Sequence, residues 1–253
     1  MLQIHQFPCL SDNYGFLLHD PDSGETAAID TPDGAEYLRQ ADARGWRITR
    51  IWNTHWHPDH TGGNAAIVEA TGAPVLAPAE VERITPVDQL VAHGERFTFG
   101  RWYVHVIDVS GHTNGHVAFH LPEARLAFVG DSVFPLGCGR MFEGTYADFW
   151  HSLERLAALP NEARVYCGHD YTLSNARFAL AVDPGNETLK ARAAEAEAAK
   201  AQGRFLVPST IGQEKASNPF LRAGEPALAK SVHKEGAQPV EVFGALREWK
   251  NRF

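Results

Sequence analysis

The chain carries at residues 54–60 the sequence Thr54-His55-Trp56-His57-Pro58-Asp59-His60, which contains three imidazoles and one carboxylate. The apolar run at residues 48–53 precedes it, so we predict a loop that leaves a buried strand, where functional sites are commonly built. In an extended backbone His55 and His57 would face the same side, and Pro58 would turn Asp59 and His60 elsewhere. Four strong donors arranged as two pairs predict a site for two metal ions.

Further donors follow other predicted strands, each time after a glycine. Gly111-His112-Thr113-Asn114-Gly115-His116 follows the predicted strand Trp102–Val109. Gly130-Asp131-Ser132 follows Arg125–Val129, and Gly168-His169-Asp170 follows Arg164–Cys167. Donors at the ends of several strands converge on one edge of a sheet, and glycine lets the backbone pass close to an ion. We therefore expect these segments to complete the metal site.

Charge divides the 253 residues into two parts. Residues 1–170 contain 11 arginines, no lysine and 22 acidic residues, hence a net charge of −11, and they hold 12 of the 13 histidines. Residues 171–253 carry 12 basic and 9 acidic residues, hence a net charge of +3. This balance disfavours a protein that mainly coats nucleic acid or an anionic membrane. The concentration of histidines and acidic residues in residues 1–170 favours metal coordination.

Other bulk features narrow the class of protein. No stretch approaches 18 consecutive apolar residues, which excludes a membrane span by sequence, and the N-terminus shows no secretory signal. The three cysteines are scattered and form no C-x-x-C pair, so we expect a protein of the reducing cytoplasm.

The pattern of elements changes near residue 170. Before it, short apolar strands alternate unevenly with helical segments, which predicts a mixed α/β domain. After it, the sequence predicts mainly helices. The predicted helices are Asp33–Ala43, Asn64–Thr71, Tyr146–Ala158, Leu173–Ala181, Asn186–Gln202 and Val240–Lys250, and Pro208–Pro219 is predicted to be a loop.

Together these motifs resemble a known family. H-x-H-x-D-H at 55–60, G-H-T-x-G-H at 111–116, G-D-S at 130–132 and C-G-H at 167–169 resemble the binuclear metallo-β-lactamase superfamily. Within it, the chain is similar to the hydroxyacylglutathione hydrolase (glyoxalase II) family, and the similarity extends over essentially the whole chain. The segments that carry the narrower resemblance are Leu136–Gly144, Cys167–Thr172, Asp183–Asn186, Asn218–Arg222 and Arg247–Phe253.

The resemblance implies a fold and a domain organisation. The fold class is α+β, namely a metallo-β-lactamase-like αββα four-layer sandwich followed by a small α-helical C-terminal domain. Residues 1–170 would be the catalytic domain. Residues 171–253 would be the substrate-binding domain that holds glutathione.

The resemblance also implies site residues. One metal would be bound by His55, His57 and His112, the second by Asp59, His60 and His169, and Asp131 would bridge both, with a hydroxide as the other bridge. Asp59 and Asp131, which hold that hydroxide, would be the catalytic residues. The glutathione moiety would be bound by Arg140, Phe142, Tyr171, Arg247 and Lys250. Some family members have tyrosine where this chain has Phe142, and the missing hydroxyl bears on the tightness of binding rather than on the reaction.

The implied activity is hydrolysis of S-(2-hydroxyacyl)glutathione, with S-D-lactoylglutathione cleaved to D-lactate and glutathione in the second step of methylglyoxal detoxification. Two divalent ions are expected; zinc is favoured, and iron and manganese are compatible with the donors. Glutathione carries a net charge of −1, so the basic second domain is expected to attract it. We expect a cytoplasmic monomer that acts on a small molecule and binds neither nucleic acid nor membrane.

Other functions use the same fold or the same residue types. The nearest alternative is a glutathione persulfide dioxygenase with a single iron, against which the C-terminal signature and the complete second metal set argue. A nuclease would need a basic surface, whereas residues 1–170 are strongly acidic. A non-catalytic binding module is disfavoured by the intact set of seven ligands. His116 is expected either to orient a ligand or to be structural.

Overall fold

The computed structural model describes all 253 residues. They form two compact units. The first comprises Met1–Asp108 and Thr113–Gly130, and the second comprises Val109–His112 and Asp131–Phe253. The domain boundary expected between residues 170 and 171 from charge and element pattern remains a prediction.

The first unit begins with a six-stranded sheet whose strands lie side by side in chain order. The strands are β1 (Gln3–Cys9), β2 (Asn13–His19), β3 (Thr26–Ile29), β4 (Arg50–Trp52), β5 (Val75–Ala77) and β6 (Gln89–Leu90). Strands β1 to β3 pair antiparallel, whereas β3 to β6 pair parallel. Every residue of β3 and β5 is buried, as expected for parallel strands that are covered on both faces.

Helices connect the parallel strands of this sheet. They are α1 (Gly34–Ala43), α2 (Pro58–Thr61) and α3 (Asn64–Thr71). The side chain of Asp33 caps α1 by accepting a hydrogen bond from the Glu36 amide at 3.2 Å, as the N-cap position favours. Tyr37 of α1 and Ile67 of α3 join Ile51 in one hydrophobic cluster on the sheet.

A second set of strands in the first unit pairs antiparallel throughout. These strands are β7 (Arg96–Phe99), β8 (Trp102–Asp108), β9 (Val117–Leu121) and β10 (Leu126–Gly130). Buried and exposed residues alternate along the first half of β8, so one face of this strand packs inward. Trp52 of β4 contacts Phe97, Phe99 and Phe119, with ring centroids 5.1, 5.3 and 5.5 Å apart. These contacts bring the two sets of strands together face to face in an aromatic core.

The second unit contains short strands and most of the helices. Its elements are β11 (Val133–Phe134), β12 (Gly137–Cys138), α4 (Tyr146–Ala157), β13 (Arg164–Cys167), α5 (Thr172–Val182), α6 (Glu187–Ala201), β14 (Ser209–Thr210), α7 (Ile211–Ser217), α8 (Pro226–Ser231) and α9 (Pro239–Arg252). Strands β11 and β12 form a hairpin, and β13 pairs antiparallel with β14. Helices α4, α5, α6 and α9 match the predicted helices to within two residues at either end.

The prediction of a loop at Pro208–Pro219 is wrong. Residues 209–210 form β14, and helix α7 follows. Thr210 and Gln213 form a capping box in which each side chain bonds the backbone of the other residue. Two reciprocal hydrogen bonds stabilise a short helix between two prolines.

None of the helices α1 to α9 combines the length and the apolar character that a membrane-spanning helix requires.

Candidate metal centre

The histidine-rich segment leaves β4 and enters α2. Pro58 is the first residue of that helix, where its missing N–H is no loss. The Asn53 side chain at the end of the strand donates to the His60 carbonyl at 2.7 Å. The Thr61 hydroxyl donates to the His57 carbonyl at 3.0 Å. These local bonds hold the segment in a compact turn at the strand end.

Within this turn the four predicted donors form two pairs. Nε2 of His55 lies 3.0 Å from Nδ1 of His57, and Nε2 of His60 lies 3.6 Å from Oδ2 of Asp59. His55 and His60 are buried, whereas the Asp59 side chain is 40% exposed. The Asn13 amide donates to Oδ2 of Asp59 at 3.2 Å and fixes that exposed carboxylate.

A residue that the sequence reasoning missed orients two of these histidines. Oδ2 of Asp30 lies 3.0 Å from Nδ1 of His60 and accepts the Thr54 hydroxyl at 2.9 Å. Its Oδ1 accepts the Thr54 amide at 2.8 Å. The Thr54 hydroxyl in turn lies 3.0 Å from Nδ1 of His55. Asp30 follows strand β3, as the predicted donors follow strands, but Ile29 rather than a glycine precedes it, so the pattern of strand, glycine and donor does not include it.

The second unit brings together the three remaining predicted ligands. Oδ2 of Asp131 lies 3.4 Å from Nε2 of His112 and 3.3 Å from Nε2 of His169. All three side chains are buried. Nδ1 of His112 bonds the Arg140 carbonyl at 2.7 Å. The His112 ring is therefore held at Nδ1 by this carbonyl, and its Nε2 faces Asp131.

Glycine is required beside these donors. Gly130 precedes Asp131 with φ +49°, and a Cβ on it would lie 2.3 Å from the Thr54 hydroxyl. A Cβ on Gly139 would lie 1.9 Å from the Asp131 carbonyl oxygen. Neither position has room for a side chain, because the Thr54 and His116 side chains lie against Gly130 and the Asp131 backbone lies against Gly139.

The segment at 111–116 is organised by a second residue that the sequence reasoning missed. Glu80 is buried and accepts the Thr113 hydroxyl at 2.6 Å and the Gly115 amide at 2.8 Å. No local sequence signal points to this carboxylate, since it lies 33 residues before its partner. His116 is buried, and its ring stacks on that of His55 with centroids 4.5 Å apart.

The donor geometry fits metal coordination. In His55, His60 and His112 the Nδ1 atom faces a protein oxygen and Nε2 faces another donor. This division is typical of histidine ligands, whose outer nitrogen is held by a hydrogen bond. Two ligands about 2.1 Å from one tetrahedral ion are roughly 3.4 Å apart, and the facing donor atoms here are separated by 3.0–3.6 Å. Imidazoles and carboxylates suit zinc, iron and manganese.

The residues predicted to hold the substrate all lie in the second unit. Tyr171 stacks on His169 with ring centroids 4.9 Å apart. Phe142 is exposed and lies under the Arg140 guanidinium, whose carbon is 5.9 Å from the ring centroid. The Phe142 ring also meets that of His112 at 5.3 Å.

The two predicted basic ligands of the substrate differ in their surroundings. Arg247 is buried, and its Nη1 donates to the carbonyls of Cys138 and Gly139 at 2.9 and 3.3 Å. Lys250 donates to the Ser174 carbonyl and hydroxyl, both at 3.2 Å. Partial burial, together with the nearby guanidinium groups of Arg247 and Arg177, lowers the pKa of Lys250 to about 8.

Comparison with known proteins places the chain in a family. The metallo-beta-lactamase superfamily model matches residues 17–169, and the model of the hydroxyacylglutathione hydrolase C-terminus matches residues 170–253. The superfamily match confirms the expected α+β fold with a helical C-terminal region.

Curated relatives agree over the full length. Proteins named hydroxyacylglutathione hydrolase from Erythrobacter litoralis and Maricaulis maris are 62% and 54% identical to this chain. Each match covers 100% of this chain and at least 99% of the relative. A solved structure of ETHE1 from Myxococcus xanthus has a TM-score of 0.70 at 24% identity, covers 97% of this chain and 90% of its own, and supports the fold alone. The chain therefore belongs to the hydroxyacylglutathione hydrolase family of the metallo-β-lactamase superfamily.

Proposed function

We propose that the chain hydrolyses S-(2-hydroxyacyl)glutathione thioesters, with S-D-lactoylglutathione cleaved to D-lactate and glutathione as the second step of methylglyoxal detoxification. The full-length similarity to hydroxyacylglutathione hydrolases carries this proposal. The persulfide dioxygenase alternative is not favoured, because the relatives that match over the full length are named hydroxyacylglutathione hydrolase.

The proposed centre uses seven ligands and two divalent ions, which we take to be zinc. His55, His57 and His112 would hold one ion, Asp59, His60 and His169 the other, and Asp131 both. Divalent ions in such a site lower the pKa of a water molecule to about 7 and polarise a carbonyl oxygen. The facing donor pairs in each unit support this assignment.

The residues around the centre have distinct roles in the proposed reaction. The Asp59 carboxylate, held by Asn13, accepts a hydrogen bond from the attacking water and directs its oxygen at the thioester carbon. A C–O bond forms, the C–S bond breaks, and the released proton goes to the sulfur through solvent. Asp131, whose Oδ2 faces His112 and His169, keeps both imidazoles aligned during this step.

The remaining predicted residues would bind glutathione. Arg140 and Lys250 would supply positive charge for its carboxylates. Tyr171 and Phe142 would supply ring surfaces for it to pack on. Arg247 would be the third basic residue of the binding site. Lys250 is suited to this role because its ammonium group bonds the uncharged Ser174 carbonyl and hydroxyl, which leave its positive charge available to an anionic ligand. The enzyme is proposed to be a monomer that acts in the cytoplasm. Three buried cysteines that form no disulfide support the proposed compartment.

A thioester assay tests the proposal. Purified enzyme is mixed with S-D-lactoylglutathione, and thiol release is followed with and without a chelator, while metal analysis counts the ions per chain. We expect chelator-sensitive thiol release and about two ions per chain. Absence of thiol release from metal-loaded enzyme would overturn the proposed function, and oxygen uptake on glutathione persulfide would favour the dioxygenase.

A further inference from the structure

Side chains from the helical part of the second unit hold the short hairpin that precedes Arg140. We define the substrate hairpin as residues 133–140. It comprises β11, the turn at residues 135–136, β12 and the two residues that follow β12. The strands supply only two paired positions, Val133 with Cys138 and Phe134 with Gly137. A two-residue ladder is too short to be stable by itself, so the hairpin needs other partners.

The turn of the hairpin has an unusual backbone. Leu136 is fully buried and has φ +61°, a left-handed conformation that a bulky residue adopts only when its surroundings impose it. The Leu136 amide donates to Oε2 of Glu214 at 2.9 Å. Glu214 lies on α7, 78 residues further along the chain, and is itself fully buried.

The Glu214 carboxylate is held in turn by two other side chains. Arg192 of α6 donates to its Oε1, and the Asn218 amide donates to its Oε2 at 3.0 Å. Arg192 also bonds the Ser217 hydroxyl at 2.8 Å. A buried carboxylate that is paired and hydrogen-bonded in this way is a rigid anchor.

Asn218 extends the anchor to both strands of the hairpin. Its amide nitrogen lies 3.2 Å from the Phe134 carbonyl and 2.8 Å from the Gly137 carbonyl. Asn175 of α5 donates to the Pro135 carbonyl at 3.3 Å. Side chains of the helical region therefore bond the Leu136 amide and the carbonyls of Phe134, Pro135 and Gly137, in addition to the short ladder.

Both ends of the hairpin lead to functional positions. Asp131 stands two residues before its start, and the Gly139 amide donates to the carbonyl of the intervening Ser132 at 3.1 Å. At the other end, the Arg140 carbonyl bonds Nδ1 of His112. A shift of the turn would therefore move Arg140.

We propose that Glu214 and Asn218 are positioning residues that hold the substrate hairpin so that Arg140 meets the glutathione moiety. The inference rests on the proposed function for the role of Arg140. It assigns to two buried polar residues, far from any proposed ligand in sequence, an effect on substrate binding through the position of Arg140.

The test compares Glu214→Gln with a matched control, Asp183→Asn. Asp183 is also a buried carboxylate of the helical region paired with an arginine, Arg222, but its hydrogen bonds go to Arg222 and Asn186 instead of the hairpin. For each full-length, metal-loaded variant we would measure KM and kcat with S-D-lactoylglutathione, the metal content, and hydrogen exchange of the Leu136 amide.

We expect Glu214→Gln to raise KM about tenfold, with kcat within about twofold and metal content unchanged. Exchange of the Leu136 amide should accelerate about tenfold beyond any change in the global unfolding rate, because a charged acceptor is replaced by a neutral one. Asp183→Asn should leave KM and the local exchange of Leu136 unchanged, even if the global stability falls equally.

Asn218→Ala provides a second variant that keeps the Glu214–Arg192 pair, in case Glu214→Gln does not fold. It should raise KM and accelerate Leu136 exchange in the same way. If a folded Glu214→Gln or Asn218→Ala variant keeps the wild-type KM and the wild-type exchange rate of the Leu136 amide, the inference is overturned. An equal rise of KM in Asp183→Asn would also overturn it. Failure of the wild-type enzyme to cleave the thioester would instead refute the proposed function, since Leu136 exchange does not depend on activity.

Discussion

At the scale of single residues, Asp30 is connected to two of the proposed ligands. Its carboxylate reaches His60 directly and His55 through the Thr54 hydroxyl. Because His60 and His55 are proposed to bind different ions, one side chain orients a ligand of each. Outer partners of this kind fix the ring orientation and raise the basicity of the ligand.

Replacing Asp30 by asparagine is expected to weaken metal binding by about 10- to 100-fold. The asparagine can still accept a hydrogen bond from the Thr54 amide through its Oδ1, but the amide nitrogen that replaces Oδ2 cannot accept one from the Thr54 hydroxyl or from Nδ1 of His60. Competition with a chromophoric chelator measures the affinity. Asp20→Asn is the control, since Asp20 is equally buried and bonds Ser23. Unchanged affinity in Asp30→Asn would contradict the positioning role.

Lys250 gives the proposed enzyme a pH dependence. Its pKa is lowered to about 8 by burial and by the neighbouring guanidinium groups of Arg247 and Arg177. The ammonium group is therefore fully charged at pH 6.5 and loses its charge as the pH rises through about 8. If Lys250 binds a glutathione carboxylate, KM should rise about five- to tenfold between pH 7 and pH 9, because a charge-assisted hydrogen bond is lost.

The control for this titration is Lys250→Arg, whose guanidinium stays protonated over the same range. Titration of the substrate itself affects both proteins equally. The rise of KM in the wild-type enzyme should therefore be absent from the arginine variant. Identical pH profiles for the two proteins would remove Lys250 from the binding site.

At the scale of secondary-structure elements, the sequence predicts well what depends on local pattern. The motif at 54–60 follows the buried strand β4, as expected, but its residues 58–60 belong to helix α2 rather than to a loop. Within the motif, His55 lies next to His57 and Asp59 lies next to His60. Helix α6 is recognisable from alanine-rich propensity alone. The wrong prediction concerned α7, where two prolines suggested a loop although the Thr210–Gln213 capping box was readable.

The remaining features depend on contacts between distant parts of the chain. Glu80 and Glu214 look like ordinary surface acids in the sequence, yet each is buried and accepts backbone amides 35 and 78 residues away. A hydrogen bond between such distant residues leaves no local pattern. Residues that organise the site from a distance are therefore visible only in the structure.

The capping box of α7 should contribute measurably to stability. Thr210→Ala removes the hydroxyl that accepts the Gln213 amide at 3.2 Å, and loss of such a cap costs about 1 kcal/mol in the free energy of unfolding. Urea denaturation measures the change. Thr188→Ala, an exposed threonine within α6, should change stability by less than about 0.5 kcal/mol. Equal effects of both substitutions would show that the cap is not the cause.

At the scale of the whole molecule, the distribution of charge corresponds to the distribution of proposed roles. Residues 1–170 carry a net charge of −11 and contain all seven proposed ligands, the last of which is His169. Such an acidic segment would repel an anionic thioester, and divalent ions would offset part of that repulsion. Residues 171–253, at +3, supply Lys250 and Arg247. Bound metal should also affect folding, because each unit brings together carboxylates and imidazoles that are far apart in the unfolded chain, so that metal binding stabilises the native state.

Metal removal is accordingly expected to lower the melting temperature. An ion present at 1,000 times its Kd stabilises the native state by about 4 kcal/mol, which corresponds to a shift of about 10 °C for a chain of this size. Calorimetry with a chelator, followed by addition of zinc, measures the loss and its recovery. His55→Ala serves as the control: having lost a ligand, it should start from a lower melting temperature and respond less to the chelator. A melting temperature that is equal with and without chelator in the wild-type protein would show that the donors do not hold metal in the folded state.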